Sequence, residues 1–436
     1  MEWYWALAFT FGGLLILLAT GLPVAFCFLL INIVGIYFFW GGIAGLYQLI
    51  LSIYGALANF ILLPVPMFFL MGEIMFQSGL AASIVDAVDK WLGSIRGRLS
   101  YVAVGAATLF SVLTGVPMAT VALLGSILLP EMGKRGYRNE MTMGPILGSG
   151  GLAMLIPPSA LAVLLASLAE ISVSKMLIGG IVPGLILAIL YALYIFIRCR
   201  IQPSIAPFYD VAPIPLKEKM GTFLKYILPL ALVIFMVIGL MFIGIATPSE
   251  SAAMGVLGCF ILVASHRKLK WDVFKNSLKA TAKLTVMVTI VIAGSTAFSQ
   301  MLSFSQGSKG LVEAGMGLKV DPILLIIGMQ LVLFVLGAFM DIVAMMMITI
   351  PIFFPLVISL GFDPLWFGIL MLLNMEVAPV TPPFGLELFV MKAVAPKDTT
   401  MADVYKAAIP FIIMDSSVLF LMLIFPKIIL WLPNLM

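Results

Sequence analysis

Apolar sequence is interrupted twice between Leu113 and Ser159, and this pair of breaks constrains the fold more than any other feature. The first is the tip Thr114-Gly115-Val116-Pro117-Met118-Ala119-Thr120, and the second is Leu155-Ile156-Pro157-Pro158-Ser159. In hydrocarbon an unpaired backbone N–H or C=O is costly. Non-helical backbone persists there only where protein, water or an ion satisfies it. The pattern returns 225 residues later: Pro130 corresponds to Pro355, Gly136 to Gly361, and Pro157-Pro158 to Pro382-Pro383. The second pair of breaks is Leu336-Gly337-Ala338-Phe339-Met340-Asp341 and Val380-Thr381-Pro382-Pro383-Phe384-Gly385. A single break could be an ordinary kink, because Pro and Gly are common in membrane helices. Interrupted segments at matching positions of two halves instead point to a transporter's binding site, with four such elements meeting near the bilayer midplane.

The surrounding composition supports a membrane setting. Soluble domains carry about 25% charged residues, whereas this chain has 10%, with 63% hydrophobic residues. It reads as an all-α polytopic membrane protein. At about 20 residues per span, its length allows roughly ten to thirteen membrane segments and no large soluble domain. The first basic residue is Lys90, and Met1 to Thr20 lacks the charged start and cleavage site of a signal peptide, so a retained first span is expected. The net charge of +4 is a topology signal and does not mark a nucleic-acid partner. Cys27, Cys199 and Cys259 are far apart and imply neither a disulfide framework nor a metal cluster. The single His266 lies in a basic stretch, which argues against a His-based metal site.

Charge sets the expected topology. Spans are expected near 4–20, 24–41, 44–63 and 65–88. The run 99–133 is basic at both ends (Arg96 and Arg98, then Lys134, Arg135 and Arg138). The positive-inside rule puts both ends in the cytoplasm, making the run a re-entrant hairpin. A broken span near 139–172 follows, then a span near 176–198 and a linker to Lys225. Spans near 226–245 and 250–265 precede a basic loop from Arg267 to Lys283. A span near 284–302 leads to an extracytoplasmic stretch, 303–321. The second hairpin, 322–358, has few basic flanks and enters from outside; a broken span, 364–395, and a last span near 407–432 complete the chain. This topology places 20 of the 24 basic residues in the cytoplasm, all but Lys175, Lys309, Lys319 and Lys427. The two repeats come out inverted. The expected division is 1–90 and 176–302 as scaffold, 91–175 and 303–400 as transport domain, and 401–436 as a C-terminal span.

A broken helix exposes N–H groups at one new end and C=O groups at the other. The N–H end suits a substrate carboxylate. On this ground the expected substrate-binding residues are Thr114, Gly115, Val116, Pro117, Pro157, Pro158, Ser159, Pro382, Pro383, Phe384 and Gly385. Free carbonyls and nearby hydroxyls suit a bare Na⁺. The expected donors are Thr114, Thr120, Ser159, Gly337, Asp341, Asn374, Glu376 and Thr381. Asp341 is a carboxylate at a membrane-embedded tip and by default functional; the bland alternative is a helix N-cap. Asn374 is the equivalent of Ser149 and either steers an ion or braces the loop. Glu73 is expected to make a structural hydrogen bond between helices, and Glu387 is a candidate for facing the cavity. No nucleophile–base pair, phosphate-binding loop or redox ligand set is apparent, so an ion gradient, not ATP or enzymatic chemistry, is the expected energy source.

These residues resemble the large membrane subunit of the TRAP (tripartite ATP-independent periplasmic) transporters. The resemblance runs from Gly21-Leu22-Pro23-Val24-Ala25 to the last span. Its most specific piece is Gly125-Ser126-Ile127-Leu128-Leu129-Pro130-Glu131-Met132 with Arg135-Gly136-Tyr137. Leu155-Ile156-Pro157-Pro158-Ser159, Ile181-Val182-Pro183-Gly184, Asn374-Met375-Glu376 and Thr381-Pro382-Pro383 follow in order. The resemblance implies an elevator-type Na⁺ symporter on the inverted-repeat ion-transporter fold, in the bacterial inner membrane. It also implies an organic acid delivered by a periplasmic binding protein, and a small four-span membrane subunit as a separate chain. The first tip departs from the family's Ser-Gly-Ser-like pattern and offers fewer hydroxyls. A stand-alone Na⁺–dicarboxylate symporter of the same fold is the near alternative, and an ion channel using the hairpins as a filter is the alternative from another class.

Overall fold

A computed structural model describes residues 3–114, 117–209, 214–317 and 320–436, and all regular structure among them is helical. Four helices open the chain: α1 (Trp3–Ala19), α2 (Val24–Phe39), α3 (Ile43–Leu57) and α4 (Pro64–Gln77). Pro64 begins α4, where its missing N–H costs nothing.

The single span expected over 65–88 is two helices. Gly79 takes φ +63°, and α5 (Leu80–Trp91) leaves α4 at 74°. The cause lies in the side chains of α5. It buries Leu80, Ala81, Ile84, Val85 and Ala87, while Asp86 pairs with Lys90 at the surface. Its apolar face packs into the larger core, which turns the helix away from the line of α4.

The first hairpin is α6 (Arg98–Thr114) and α7 (Pro117–Lys134). The first broken helix is α8 (Asn139–Leu155) and α9 (Ala160–Leu168), bent by 47° about the Pro-Pro pair. The long α10 (Val173–Ile201) follows. Then come α11 (Leu216–Phe242) and α12 (Pro248–Ser265). The expected loop from Arg267 to Lys283 is mostly helix, because α13 (Trp271–Phe304) begins early. Lys275, Lys279 and Lys283 recur every fourth residue, a spacing that lines one face of a helix. α13 has 34 residues; at about 1.5 Å per residue it outreaches a hydrocarbon core of about 30 Å. Its basic first turns can therefore stand in the headgroups. α11 likewise starts ahead of the expected 226 and takes in Lys217 and Lys219. The stretch expected outside the membrane, 303–321, contains α14 (Gly307–Gly317).

The second hairpin is α15 (Pro322–Gly337) and α16 (Ile342–Ser359), and the second broken helix is α17 (Pro364–Val377) and α18 (Leu386–Val394). The chain ends with α19 (Met401–Ile424) and the short α20 (Pro426–Leu430). Six helices are long and apolar enough to cross a membrane, or up to eight if each bent pair counts as one, among the described residues.

Two apolar cores hold the helices. The larger joins both hairpins and both broken helices to α4, α5, α10, α12 and α19. The smaller packs α1–α3 against α13 through Leu14, Phe28, Ile31 and Phe298, and reaches Met347 of α16. Small residues set the closest approaches, as expected where lipid is as apolar as any side chain. A Cβ at Gly148 of α8 would lie 2.2 Å from the ring of Phe411 on α19, and one at Gly144 would lie 2.7 Å from it.

Candidate functional site

The two hairpin tips meet across a cavity of about 450 Å³. Pro117 and Met118, which start α7, form one wall, and Asp341 to Ala344, which start α16, form another. Each tip therefore presents the N-terminal turn of its second arm, the end of a helix that carries partial positive charge. The third interrupted element contributes Leu161, in the first turn of α9. Pro23 to Ala25, Phe69 and four residues of α13 close the space, and among the described residues Asp341 is its only ionisable lining residue. An apolar chamber with two helix N-termini and one carboxylate can hold a small anion beside a cation.

Asp341 is the N-cap of α16. Its Oδ1 accepts from the N–H groups of Val343 at 3.0 Å and Ala344 at 3.1 Å. Both bonds use the same oxygen, so capping and ion binding do not compete for Oδ2. Ser159 caps α9 in the same way, its Oγ accepting from the Ala162 N–H at 3.2 Å in a fully buried setting. Thr120 is buried in the first turn of α7. Gly115 and Val116 lie outside the described residues, as does the side chain of Thr114. Pro157 and Pro158 are buried, and of this broken helix it is Leu161 that lines the cavity.

The second break reaches the site through its partner tip. A Cβ at Gly337 would lie 2.1 Å from that of Ala378, so the end of α15 rests directly on the turn 378–380. Phe339 and Phe384 face each other with ring centroids 5.6 Å apart, and both are exposed. Thr381 donates its hydroxyl to the Val377 carbonyl at 2.8 Å, and the Gly385 N–H donates to the Thr381 carbonyl at 3.1 Å. Pro382 is half-buried and Pro383 exposed. Asn374 braces the second hairpin, its Nδ2 donating to the carbonyl of Gln330 at 2.7 Å and to its side-chain oxygen at 3.0 Å. Its equivalent, Ser149, donates to the Pro145 carbonyl.

Two acidic residues differ from their expected settings. Among the described residues Glu73 makes no bond between helices; its carboxylate accepts from Gln77 at 3.3 Å on its own helix. It lines a second cavity of about 400 Å³, which shares Phe69, Met118 and Leu284 with the tip cavity. Glu376 lies in the interior with Glu387, against Gly151. Asp415 and Tyr191 complete that interior cluster, and the sequence reading passed over both. A lone carboxylate in the apolar run of α19 was the available signal for Asp415; nothing in the sequence singles out Tyr191.

Residues 11–428 match the family described as Tripartite ATP-independent periplasmic transporter, DctM component. The C4-dicarboxylate TRAP transporter large permease protein DctM of Pseudomonas aeruginosa is 32% identical over 388 residues, covering 89% of each chain. The ectoine TRAP transporter large permease protein TeaC of Halomonas elongata is 30% identical over 427 residues, 98% of each chain. The sialic acid TRAP transporter large permease protein SiaM of Vibrio cholerae is 27% identical over 424 residues, 97% of each chain. Among solved structures, the Alcanivorax borkumensis YdaH transporter superposes with a TM-score of 0.63 at 14% identity, over 87% of this chain and 88% of that one. With paired hairpins, paired broken helices and a family match across nearly its whole length, the chain belongs to the tripartite ATP-independent periplasmic transporters as their large membrane component.

Proposed function

We propose that this subunit imports an organic acid by Na⁺ symport, taking the solute from a periplasmic binding protein and working with a small four-span membrane subunit in the bacterial inner membrane. The observation that carries the reading is the tip cavity. The N-terminus of α7 opens on it and favours a carboxylate, while Asp341, which caps the N-terminus of α16 through one oxygen, turns the other to the cavity and favours a cation. Relatives named for C4-dicarboxylates, sialic acid and ectoine support a small polar solute and leave its identity open.

Na⁺ and the solute are co-substrates in this scheme. Thr114, Thr120 and Ser159 are the proposed Na⁺ donors at the first tip. Gly337, Asp341, Asn374 and Thr381 are those at the second, where the tight contact of Gly337 with Ala378 couples tip to break. Ordering of these turns by Na⁺ shapes the wall against which the solute sits. A domain loaded with only one co-substrate then moves poorly, and that is sufficient for coupling.

The movement proposed is an elevator, in which the hairpins and broken helices slide against α1–α4 and α11–α13. In this scheme α10 and α19 travel with the moving body, a reading supported by their packing. Phe411 of α19 sits in the notches at Gly144 and Gly148, and Tyr191 of α10 bonds to Asp415 of α19.

Uptake of labelled organic acids into proteoliposomes tests the scheme, with the small subunit, the binding protein and the Na⁺ gradient each added or omitted. Uptake is expected only when all are present, and Asp341→Asn is expected to reduce it at least tenfold, about 1.4 kcal/mol. Uptake indifferent to Na⁺ would remove the ion sites from the scheme. Equal uptake of free solute without the binding protein would make the chain a stand-alone symporter.

A further inference from the structure

One face of α13 lines two separate cavities. Leu284, Val288, Val291, Ser295 and Ser299 follow one another at intervals of three or four residues, the spacing of a single helical stripe. The first three line the tip cavity, and the last two line another cavity of about 410 Å³. Thr296 and Gln300 widen the stripe there, and the Ser52 hydroxyl of α3 donates to Gln300 Oε1 and fixes the amide. Along this face α13 is apolar beside the tips and polar beyond them. The positive-inside rule puts its basic first turns in the cytoplasm, so the polar half is the outer half.

The opposite walls are arranged the other way round. The tip cavity sets Asp341 and the start of α7 against the apolar half of α13. The outer cavity sets Ile350, Pro351 and Phe354, further along α16, against the polar half. α9 also lines both, with Leu161 in the first and Leu168 in the second. The two cavities therefore lie one beyond the other on the same three helices, and in each of them polar groups face apolar ones. Among the described residues one side-chain bond joins α13 to α16, from Ser295 Oγ to the Met347 carbonyl at 3.4 Å.

Hydroxyl and amide groups gain nothing from carbon across a gap. The polar half of α13 is therefore suited to a different partner. The two lined stretches are centred about ten residues apart on α13, about 15 Å at the usual rise. A shift of the hairpins by that length would bring the tips to the polar half and match polar groups with polar groups.

We propose that Ser295, Thr296, Ser299 and Gln300 form an outer solute site, completed by the tips when the hairpins have moved outward, and that these residues read the neutral hydrogen-bonding groups of the solute. This rests on the import and sliding proposed above. It adds that the tips here stand in the inward position, and it names the side chains that the solute meets first. Hydroxyls and an amide carry no charge, so they suit hydroxyl or amide groups placed beside the carboxylate held at the tips. Among the described residues the one charge on this wall is the exposed Glu170, which disfavours a second carboxylate.

Cross-linking of the assembled transporter in proteoliposomes tests the geometry without a solute. Met118→Cys is paired with Val288→Cys for the present arrangement, and with Ser299→Cys for the outward one. A short bifunctional maleimide is applied with and without Na⁺; the three native cysteines are buried. Both pairs are expected to link. Linking of the Val288 pair alone in both conditions overturns the proposal.

Uptake of gluconate, sialic acid and succinate tests the chemistry. The two hydroxylated acids are expected to be preferred over succinate by at least about tenfold in kcat/KM, one to two hydrogen bonds' worth. Ser295→Ala/Ser299→Ala/Gln300→Ala is expected to remove most of that preference while changing succinate uptake by less than about threefold. If the triple variant does not fold, Ser299→Ala alone is measured. Equal losses for every acid taken up would mark a structural role and overturn the proposal, as would a wild type that prefers succinate. If none of the three acids enters the vesicles, the import reading fails for these solutes, and the cross-linking alone decides this one.

Discussion

The two Pro-Pro breaks occupy equivalent positions in the repeats and have opposite surroundings. In the first, Pro157, Pro158 and Ser159 are buried, and the Ser159 hydroxyl caps α9. In the second, Pro383 and Phe384 are exposed, and Gly385 leads into α18 without a side-chain cap. The first turn is held by packing and a side-chain cap; the second is held by its backbone with two hydroxyls, Thr381 on the Val377 carbonyl and Tyr405 on the Pro383 carbonyl, each at 2.8 Å. Chemistry is divided just as unequally. Asp341, Asn374 and Glu376 of the second repeat stand opposite Val116, Ser149 and Gly151 of the first. The duplication provides the backbone geometry twice and most of the charged and amide groups once. Inverted repeats with matching breaks therefore do not imply two equal ion sites.

Substitutions at equivalent or touching positions can break this comparison. The largest stability effect is expected for Gly385→Ala, because the new Cβ would lie 2.4 Å from the Pro379 carbonyl oxygen, which is backbone and cannot swing away. A loss of about 3 kcal/mol is expected in detergent unfolding, the upper part of the range for overpacking. A silent Gly385→Ala would mean that the second turn is not held by its backbone. Gly151→Ala should cost less, about 1–2 kcal/mol, since it meets the flexible Glu376 side chain. Adding Glu376→Ala should recover part of that loss, and strictly additive losses would deny that contact. Ser159→Ala should cost about 1 kcal/mol by removing a cap; Tm in matched detergent would show whether the first turn depends on it. Phe384→Ala, at an exposed ring, should change stability by less than about 0.5 kcal/mol. A larger drop would show that the second turn is as closed as the first.

The breaks were legible because Pro and Gly act locally. Pro157-Pro158, Pro382-Pro383 and the tips before Pro117 and after Gly337 stop helices whatever packs around them. The flanking charges then gave the inverted order of the elements. The bend at Gly79 was not legible, because 65–88 is apolar enough to read as one span and only the burial pattern of α5 separates its faces. The helical start of α13 was hidden for the opposite reason: a basic run reads as loop, although Lys275, Lys279 and Lys283 fit one helical face. At the candidate site, Asp341 was legible as a charge out of place. The interior cluster was not, because Glu376, Glu387, Asp415 and Tyr191 come from four helices that only the tertiary packing brings together.

The bend at Gly79 also has a mechanical consequence. α5 is a rod of 12 residues, about 18 Å long at the usual rise. At its far end Asp89 is clamped to Arg98, at the start of the first hairpin, by guanidinium–carboxylate contacts of 2.7 and 2.9 Å. Its near end is a glycine joint. Its other tie, Lys90 to Glu218 at 3.1 Å, lies near the surface, where such pairs contribute about 0–1 kcal/mol. If the hairpins slide as proposed, a crank of fixed radius, jointed to α4 and clamped to the hairpin, would limit the stroke of that hairpin. How far a solute is carried in that scheme would then be governed by the length of one helix that does not line the tip cavity.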